Sequence, residues 1–352
     1  MAYTDIDDPS VHFQTALYTG NATQRDITND GNSDLQPDWV WIKCRSAAEA
    51  NMLYDSTRGV TKDLRSETTS AENTNAQGLQ TFNSNGFELG TLQNVNFNTK
   101  TMVAWQWKAN GGTTASNTDG DITSTVQANT DAGFSIVTYT GTGSAATVGH
   151  GLGGTPDFIT TKSRNVGARG WTTWTNALAG NQAIDLNGTG AAYTSTTSWN
   201  STTPTSTVIS LGTRLGTNEN NTTYVAYCFK SIQGYSKIGK YIGNGNANGP
   251  FVYTGFKPAW LLVKNASATQ SWSIIDNKRN TFNVVDAYLQ PSATTAELSG
   301  SSHPYAQTDF LSNGFKIRNS DVYRNGNGNT MIYMAFAEHP FVSSEGVPTT
   351  AR

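Results

Sequence analysis

Bulky and small side chains alternate along Thr101–Lys108 (TMVAWQWK), and the same alternation returns in Thr222–Lys230 (TTYVAYCFK) and Thr330–Ala337 (TMIYMAFA). Val103, Trp105 and Trp107 stand at every second position, as do Val225, Tyr227 and Phe229, and Ile332, Met334 and Phe336. A period of two with bulk on one side marks a β-strand whose heavy face lies on a core. The aromatic and β-branched residues favour the same element.

Other blocks keep step with this refrain. Tyr18-Thr19-Gly20, Tyr139-Thr140-Gly141 and Tyr241-Ile242-Gly243 come first, then PDWVWIK (Pro37–Lys43), PDFITTK (Pro156–Lys162) and PAWLLVK (Pro258–Lys264). Next come MLYDSTRG from Met52, WTTWTNAL from Trp171 and WSIIDNKR from Trp272. A fourth block reads FNSNGFELG (Phe82–Gly90) and FLSNGFKIR (Phe310–Arg318), with a weaker counterpart in Val208–Gly212. Four blocks repeated in one order predict a tandem array of one unit, an all-β chain of three antiparallel β-sandwiches, each with a two-layer core. Proline heads the second block, as suits a strand start. Asn85-Gly86 and Asn313-Gly314 read as the central pairs of two-residue hairpin turns. Helical patterning is scarce, and only Ser46–Leu53 suggests one or two turns.

The spacing divides the chain into an arm over 1–10, units over 11–109, 133–232 and 233–338, a Gly/Thr/Ser/Asn-rich linker over 110–132, and a second arm over 339–352. A strand within the linker is suggested around Ile122–Val126, and the arms are expected to fray.

Composition supports the β reading. Only 14% of residues are charged and 34 are glycine, with Thr, Ser and Asn filling the spaces between strands. A net charge of −3 speaks against a nucleic-acid partner, which would need clustered Lys and Arg. Without an 18-residue apolar run, and with the acidic, polar opening MAYTDIDDPS, neither membrane insertion nor export by a signal peptide is expected. The two cysteines, Cys44 and Cys228, fall in non-equivalent blocks, so no structural disulfide is expected.

Candidate chemistry is sparse. The four histidines share no ligand spacing, and His150 in VGHGLGG reads as a polar cap on a tight turn. Asp30, Asn32 and Asp34 have the alternate spacing of an oxygen-ligand calcium loop. That loop would put Gly and Glu where Leu35 and Trp41 stand, so an Asx-rich turn competes with a structural calcium site. No other cofactor is implied. Asp55 has Asp276 at its counterpart in the third unit but Thr175 or Asn176 in the second, so no catalytic site is elaborated and the chain is not expected to be an enzyme. Aromatics outside the strand blocks, Trp174 and Trp199, are the candidates for stacking on a sugar.

Taken together, PDWVWIK, LYDSTRG, AWQWKANGG, TDAGFSIVTYTGTGSAATVGHGLG, FVYTGFKPAWLLVK, DFLSNGFKIR and MIYMAFAEHPF resemble, from end to end, a repeat protein of marine tailed phages. The resemblance implies jelly-roll or concanavalin-like sandwich units in a virion structural protein assembled in the bacterial cytoplasm. It further implies a tail-fibre or appendage component attaching to host-surface polysaccharide, with other virion proteins as partners. The oligomer is either a homotrimer, as fibres of this kind often are, or a single chain whose three internal copies let it sit alone on a three-fold position. Capsid decoration or tail assembly without a receptor role is the alternative, and a glycan-degrading depolymerase a third reading. The resemblance supplies no site residues.

Overall fold

The computed structural model describes residues 3–300 and 303–349. Its sheets are antiparallel throughout, apart from one isolated parallel bridge between Ile122 and Val148. Each unit is organised around one four-strand order. An opening strand (Phe13–Thr19, Phe134–Thr140 or Ser236–Ile242) pairs with the closing strand (Thr101–Trp107, Thr223–Phe229 or Thr330–Pro340). The closing strand pairs on its other side with the Pro-led strand (Trp39–Cys44, Phe158–Ser163 or Phe256–Asn265), and that with Met52–Asp55, Thr172–Thr175 or Ser273–Asp276. The register is the same three times: Phe13 faces Trp107, Phe134 faces Phe229, and Ser236 faces Phe336.

A smaller sheet accompanies each large one: Arg25–Thr28, Gly86–Leu89 and Leu79–Asn83; Ala146–Gly149 and Val208–Leu211; Phe251–Tyr253, Gly314–Ile317 and Thr308–Leu311. Val40, Ile42, Met102 and Ala104 from the large sheet share a buried cluster with Ile27, Leu79, Phe87 and Leu89 from the small one. Leu261, Val263, Tyr333 and Ala335 share another with Val252, Phe310, Phe315 and Ile317. The interiors of the first and third sandwiches are therefore lined by the alternate face of the closing strand, Met102 and Ala104 or Tyr333 and Ala335.

The heavy face points the other way. Val103, Trp105, Trp107, Tyr227, Phe229, Ile332, Met334 and Phe336 belong to one cluster that joins all three units. Trp107, Phe229 and Phe336, the last aromatics of the three closing strands, form a triangle with centroid separations of 6.3, 5.8 and 5.6 Å. Trp39 stacks on Tyr227 at 4.5 Å, Phe13 on Phe336 at 5.3 Å, and Trp107 meets Trp260 edge-on at 5.5 Å. The expectation that these residues are core holds, but the core is the junction of three sheets. Each large side chain buried there contributes about 2–3 kcal/mol, and no single unit can cover its own.

The junction closes into a ring through three matching seams. Glu72 N donates to Arg164 O at 2.7 Å, Ala192 N to Ala266 O at 2.9 Å, and Glu297 N to Arg45 O at 2.8 Å, linking first to second, second to third, and third back to first. A buried lysine reaches across each seam. Lys162 Nζ donates to Thr69 O at 3.2 Å, Lys264 Nζ to Thr189 O at 3.1 Å, and Lys43 Nζ to Thr294 O at 2.7 Å. Further carbonyls, of Arg169, Gln270 and Glu49 respectively, complete these cages.

Two seams also carry a buried ionic chain. Arg164 forks onto Glu72 at 3.0 and 3.1 Å, Glu72 takes Arg58 Nη1 at 3.0 Å, Arg58 pairs with Asp55, and Asp55 accepts Tyr227 Oη at 2.6 Å. Across the closing seam the same positions give Arg45, Glu297, Arg279, Asp276 and Trp105 Nε1, the last bond being 3.0 Å. Burial alone lowers the Arg58 guanidinium, but Asp55, Tyr227 and Glu72 outweigh it and hold the group above its ordinary value. Burial likewise raises Glu72 and Glu297, and the flanking arginines outweigh it and lower both. In the seam between second and third units these positions are Ala266, Ala192, Leu178, Thr175 and Met334. The charged chain is present whole or replaced whole, because a lone buried charge costs far more than a complete network.

Several expectations are corrected. Ser46–Leu53 is not helical: Met52–Asp55 is a strand, and the α-helices are four-residue turns at Gln93–Asn96, Leu215–Asn218 and Val322–Asn325. The hairpins turn through Ser84-Asn85 and Ser312-Asn313, one residue earlier than read, since Asn83 pairs with Gly86 and Leu311 with Gly314. Those glycines serve close approach, because a Cβ on Gly86 or Gly314 would lie 2.0 or 2.1 Å from the carbonyl of Ile27 or Val252. Pro258 lies inside its strand at a register shift, although Pro37 and Pro156 precede theirs.

The segment read as a linker contributes strands Ala115–Asn117 and Ser124–Asn129 to the second large sheet. The described parts of the arms dock on the third unit and on each other. Tyr3 Oη donates to Gly255 O at 2.8 Å, Thr4 Oγ1 to Gln233 O at 2.9 Å, and Ser344 N to Asp7 Oδ1 at 2.7 Å. Among the described residues no helix is long and apolar enough to cross a membrane.

Arg279→Leu alone is expected to destabilise the chain by about 3–5 kcal/mol, by stranding Asp276 and Glu297. Asp276→Thr/Arg279→Leu/Glu297→Ala/Arg45→Ala together, the set already present at the apolar seam, should cost less than that single change. Denaturant midpoints decide it, and a combined cost above the single one refutes the whole-chain rule.

Burial pushes the amines of Lys43, Lys162 and Lys264 down to about 8 from 10.5. Between those values the unfolded chain holds more protons than the folded one, so these groups make stability rise with pH across that window. Lys264→Met should flatten the rise in denaturation midpoint between pH 8 and 9.5 relative to the parent, and an unchanged slope counts against the shift.

Candidate functional site

Three loops follow the opening strands, over 20–24, 141–145 and 243–249, and each is held by the same device. The tyrosine two residues before the loop's first glycine donates inward: Tyr18 Oη to Val95 O at 2.6 Å, Tyr139 Oη to Thr217 O at 2.7 Å, and Tyr241 Oη to Arg324 O at 2.8 Å. The next residue along each helical turn is a fully buried asparagine, Asn96, Asn218 or Asn325. Its Oδ1 accepts a loop N–H, from Asn21 at 2.9 Å, Thr142 at 2.8 Å or Asn244 at 2.8 Å. Its Nδ2 donates to Thr23 O at 2.6 Å, Ser144 O at 2.6 Å or Asn246 O at 2.8 Å, and also to a carbonyl of its own segment (Gly90, Gly212 or Asn319).

The leading glycine admits the helical turn. A Cβ on Gly20, Gly141 or Gly243 would lie 2.1, 2.4 or 2.3 Å from a backbone oxygen. Tyr-x-Gly was visible in the sequence as a marker, but the asparagines were missed. Their signal was an Asn five residues before each closing strand's threonine, Thr101, Thr223 and Thr330.

The residues proposed from sequence fall elsewhere. Trp174 and Trp199 are only 4% and 2% exposed, inside the second unit, so neither offers a face to a sugar. The Trp174 indole N–H is used internally, on Ala179 O at 3.2 Å. Trp174 sits within the strand Thr172–Thr175, opposite Ile159, and both indoles belong to the buried cluster that joins the units. Asp30, Asn32 and Asp34 are exposed, and Asp30 accepts Lys278 Nζ at 2.9 Å. Among the described residues no cluster of three acidic, His or Cys side chains has the geometry to hold a metal. His150 is buried in its turn. Nδ1 accepts Leu152 N at 3.2 Å, which leaves Nε2 to donate to Thr205 O at 3.3 Å, and burial lowers the ring's pKa.

Asp30 and Asn32 do share a feature: they stand on the lip of a cleft of about 310 Å³ at the seam between first and third units. The other two seams are sealed at the equivalent place by the connecting chain. Asp38 accepts Ala109 N, Gly111 N and Gly112 N at 2.7, 2.9 and 2.8 Å, and Gln127 donates to Ser56 Oγ and Thr57 Oγ1 at 2.9 and 2.8 Å. Asp157 accepts Ser231 N at 2.8 Å, and Asn176 Nδ2 donates to Ile238 O at 3.2 Å. The third unit has Ala259 in place of that aspartate, and the chain reaches this seam as its two terminal arms, whose Asp8, Ser10 and His339 line the cleft. Pro-Asp, Pro-Asp, Pro-Ala was the available signal.

A family model described as a domain of unknown function (DUF7483) matches residues 8–340. The chain belongs to this family. No curated protein matches it. The DUF7483 match spans all three units and both connecting segments, the same extent as the ring with its shared junction.

Asn218→Ala should leave the fold intact while freeing the loop over 141–145, since it orphans three groups worth about 1–3 kcal/mol each. Hydrogen exchange should rise there and not at 20–24 or 243–249, and a uniform rise would show that the asparagine supports the whole ring.

Proposed function

We propose that this chain is a structural protein of a phage particle, carried on the particle surface as a tail-fibre or appendage component that attaches to host-surface glycan by binding, without catalysis. The observation that carries the reading is the presentation of three Thr/Ser/Asn-rich loops, each pinned by a buried asparagine and an inward-donating tyrosine, on a body whose tryptophans are all buried in its shared core. Fixed loops lose little entropy on binding, which suits recognition of weakly interacting polysaccharide. The resemblance to marine-phage repeat proteins supplies the setting.

On this reading the particle assembles in the bacterial cytoplasm, and the neighbours are other virion proteins. Of the two assemblies expected, the internal ring supports the single chain filling a three-fold position over the homotrimer. It also favours a second reading, a capsid or tail component that caps a three-fold position without a receptor. The terminal arms support that less, because their described residues are engaged on the chain's own first and third units and on each other.

Purified protein should adhere to host cells or their lipopolysaccharide at concentrations where established fibres adhere, and antibody should label the particle's appendages. Labelling of the capsid shell with no adhesion would transfer the conclusion to the second reading.

A further inference from the structure

The open seam is where sealing by a connecting chain is missing, and its walls have changed with it. At the sealed seams the opening strand presents Ile136 and Ile238, both buried against neighbouring apolar groups. The matching residue in the open seam is Thr15, which is 5% exposed and whose hydroxyl has no hydrogen-bond partner. Replacing a buried isoleucine by threonine without a partner is unfavourable unless something else supplies one.

The rest of the cleft is amphipathic. Phe13 and Ala259 form apolar wall, while Asn32, Asn277 and the Asp30–Lys278 pair bring amide, carboxylate and ammonium groups to the same space. Asn277 Nδ2 is engaged with Glu338 Oε2 at 2.7 Å, which orients its carbonyl oxygen. Donors and acceptors are mixed, so the lining does not select a simple anion. The volume lies at the lower end of small-ligand sites, and a concave apolar wall with a few placed polar groups is how such sites hold ligands.

We infer that this cleft is a carbohydrate subsite for one or two neutral sugar residues, with vicinal hydroxyls meeting Asn32, Asn277 and the Asp30–Lys278 pair and an apolar ring face against the Phe13–Ala259 wall. The inference rests on the glycan-attachment reading and places that attachment at the seam, where the loops alone would otherwise carry it. It also explains why the third unit lacks the aspartate that seals the other two seams: an anchored connecting chain would fill the space.

The test is a titration of the full chain with a panel of neutral hexoses, deoxyhexoses and N-acetylhexosamines, followed by NMR shifts and calorimetry, alongside cell adhesion. At least one sugar should bind with a dissociation constant of about 1 mM or tighter. Asn277→Ala and Ala259→Phe should each weaken it tenfold or more, with unchanged melting, while Thr125→Ala, on an exposed strand position away from both the cleft and the clamped loops, should not. Ala259→Phe fills the cleft without removing a polar group, so it separates occupancy from lost folding.

Sugar binding that survives both cleft variants overturns the inference. Adhesion of the parent to host polysaccharide that neither variant weakens also overturns it and leaves the attachment reading standing. Absence of both adhesion and sugar binding removes both. Protection of the cleft only within assembled particles would identify a neighbouring polypeptide as its occupant and likewise overturn the carbohydrate assignment.

Discussion

Everything in this molecule depends on keeping the heavy faces of three closing strands away from water. Trp105, Trp107, Tyr227, Phe229, Met334 and Phe336 all point out of their own sandwiches. A sheet whose outer face carries such residues cannot stand alone, since exposing them would forfeit about 2–3 kcal/mol for each. Three sheets brought face to face around a common axis solve the problem together. The tandem units are thereby bound into one body, in which the sandwich interiors, filled with Val40, Ile42, Ala104 and Ala335, are the lesser cores.

The seams show which parts of that solution are obligatory. The backbone clasp and the lysine in its carbonyl cage recur at all three, because ring closure fixes the same geometry each time. The ionic chain recurs at only two. Its five positions hold Arg, Glu, Arg, Asp and a side-chain donor, or else Ala, Ala, Leu, Thr and Met. Packing accepts either set, whereas an incomplete set would leave a charge in a medium that cannot solvate it. The apolar version demonstrates that this chain closes a seam without the charges.

Symmetry of the body and asymmetry of its surface have different origins. Clamped loops follow all three opening strands, as repetition of the unit requires. The sealing of each seam is a matter of connectivity: a chain that passes from first to second and from second to third unit has no third crossing. The gap between third and first is a consequence of building a ring from one linear chain. Ala259 and Thr15 show that the residues facing the gap have adapted to an unfilled space and did not keep the pattern of the sealed seams.

The alternation in TMVAWQWK, TTYVAYCFK and TMIYMAFA was enough to establish strands, an all-β chain and the burial of the heavy face, because side-chain period is a local consequence of strand geometry. Pro-Asp against Pro-Ala and the Asn before each closing strand were equally visible, but their meaning was not. Asn96 matters through Asn21 and Thr23, and Ala259 through a connecting chain that is absent beside it. The direction of the heavy face also lay beyond the pattern. A period of two says that Trp105 and Met102 face opposite sides of a sheet, and each side of this sheet turned out to be buried. Only the closing of the ring decided that the larger residues face the shared junction, where the heavy faces of three sheets meet and bury one another.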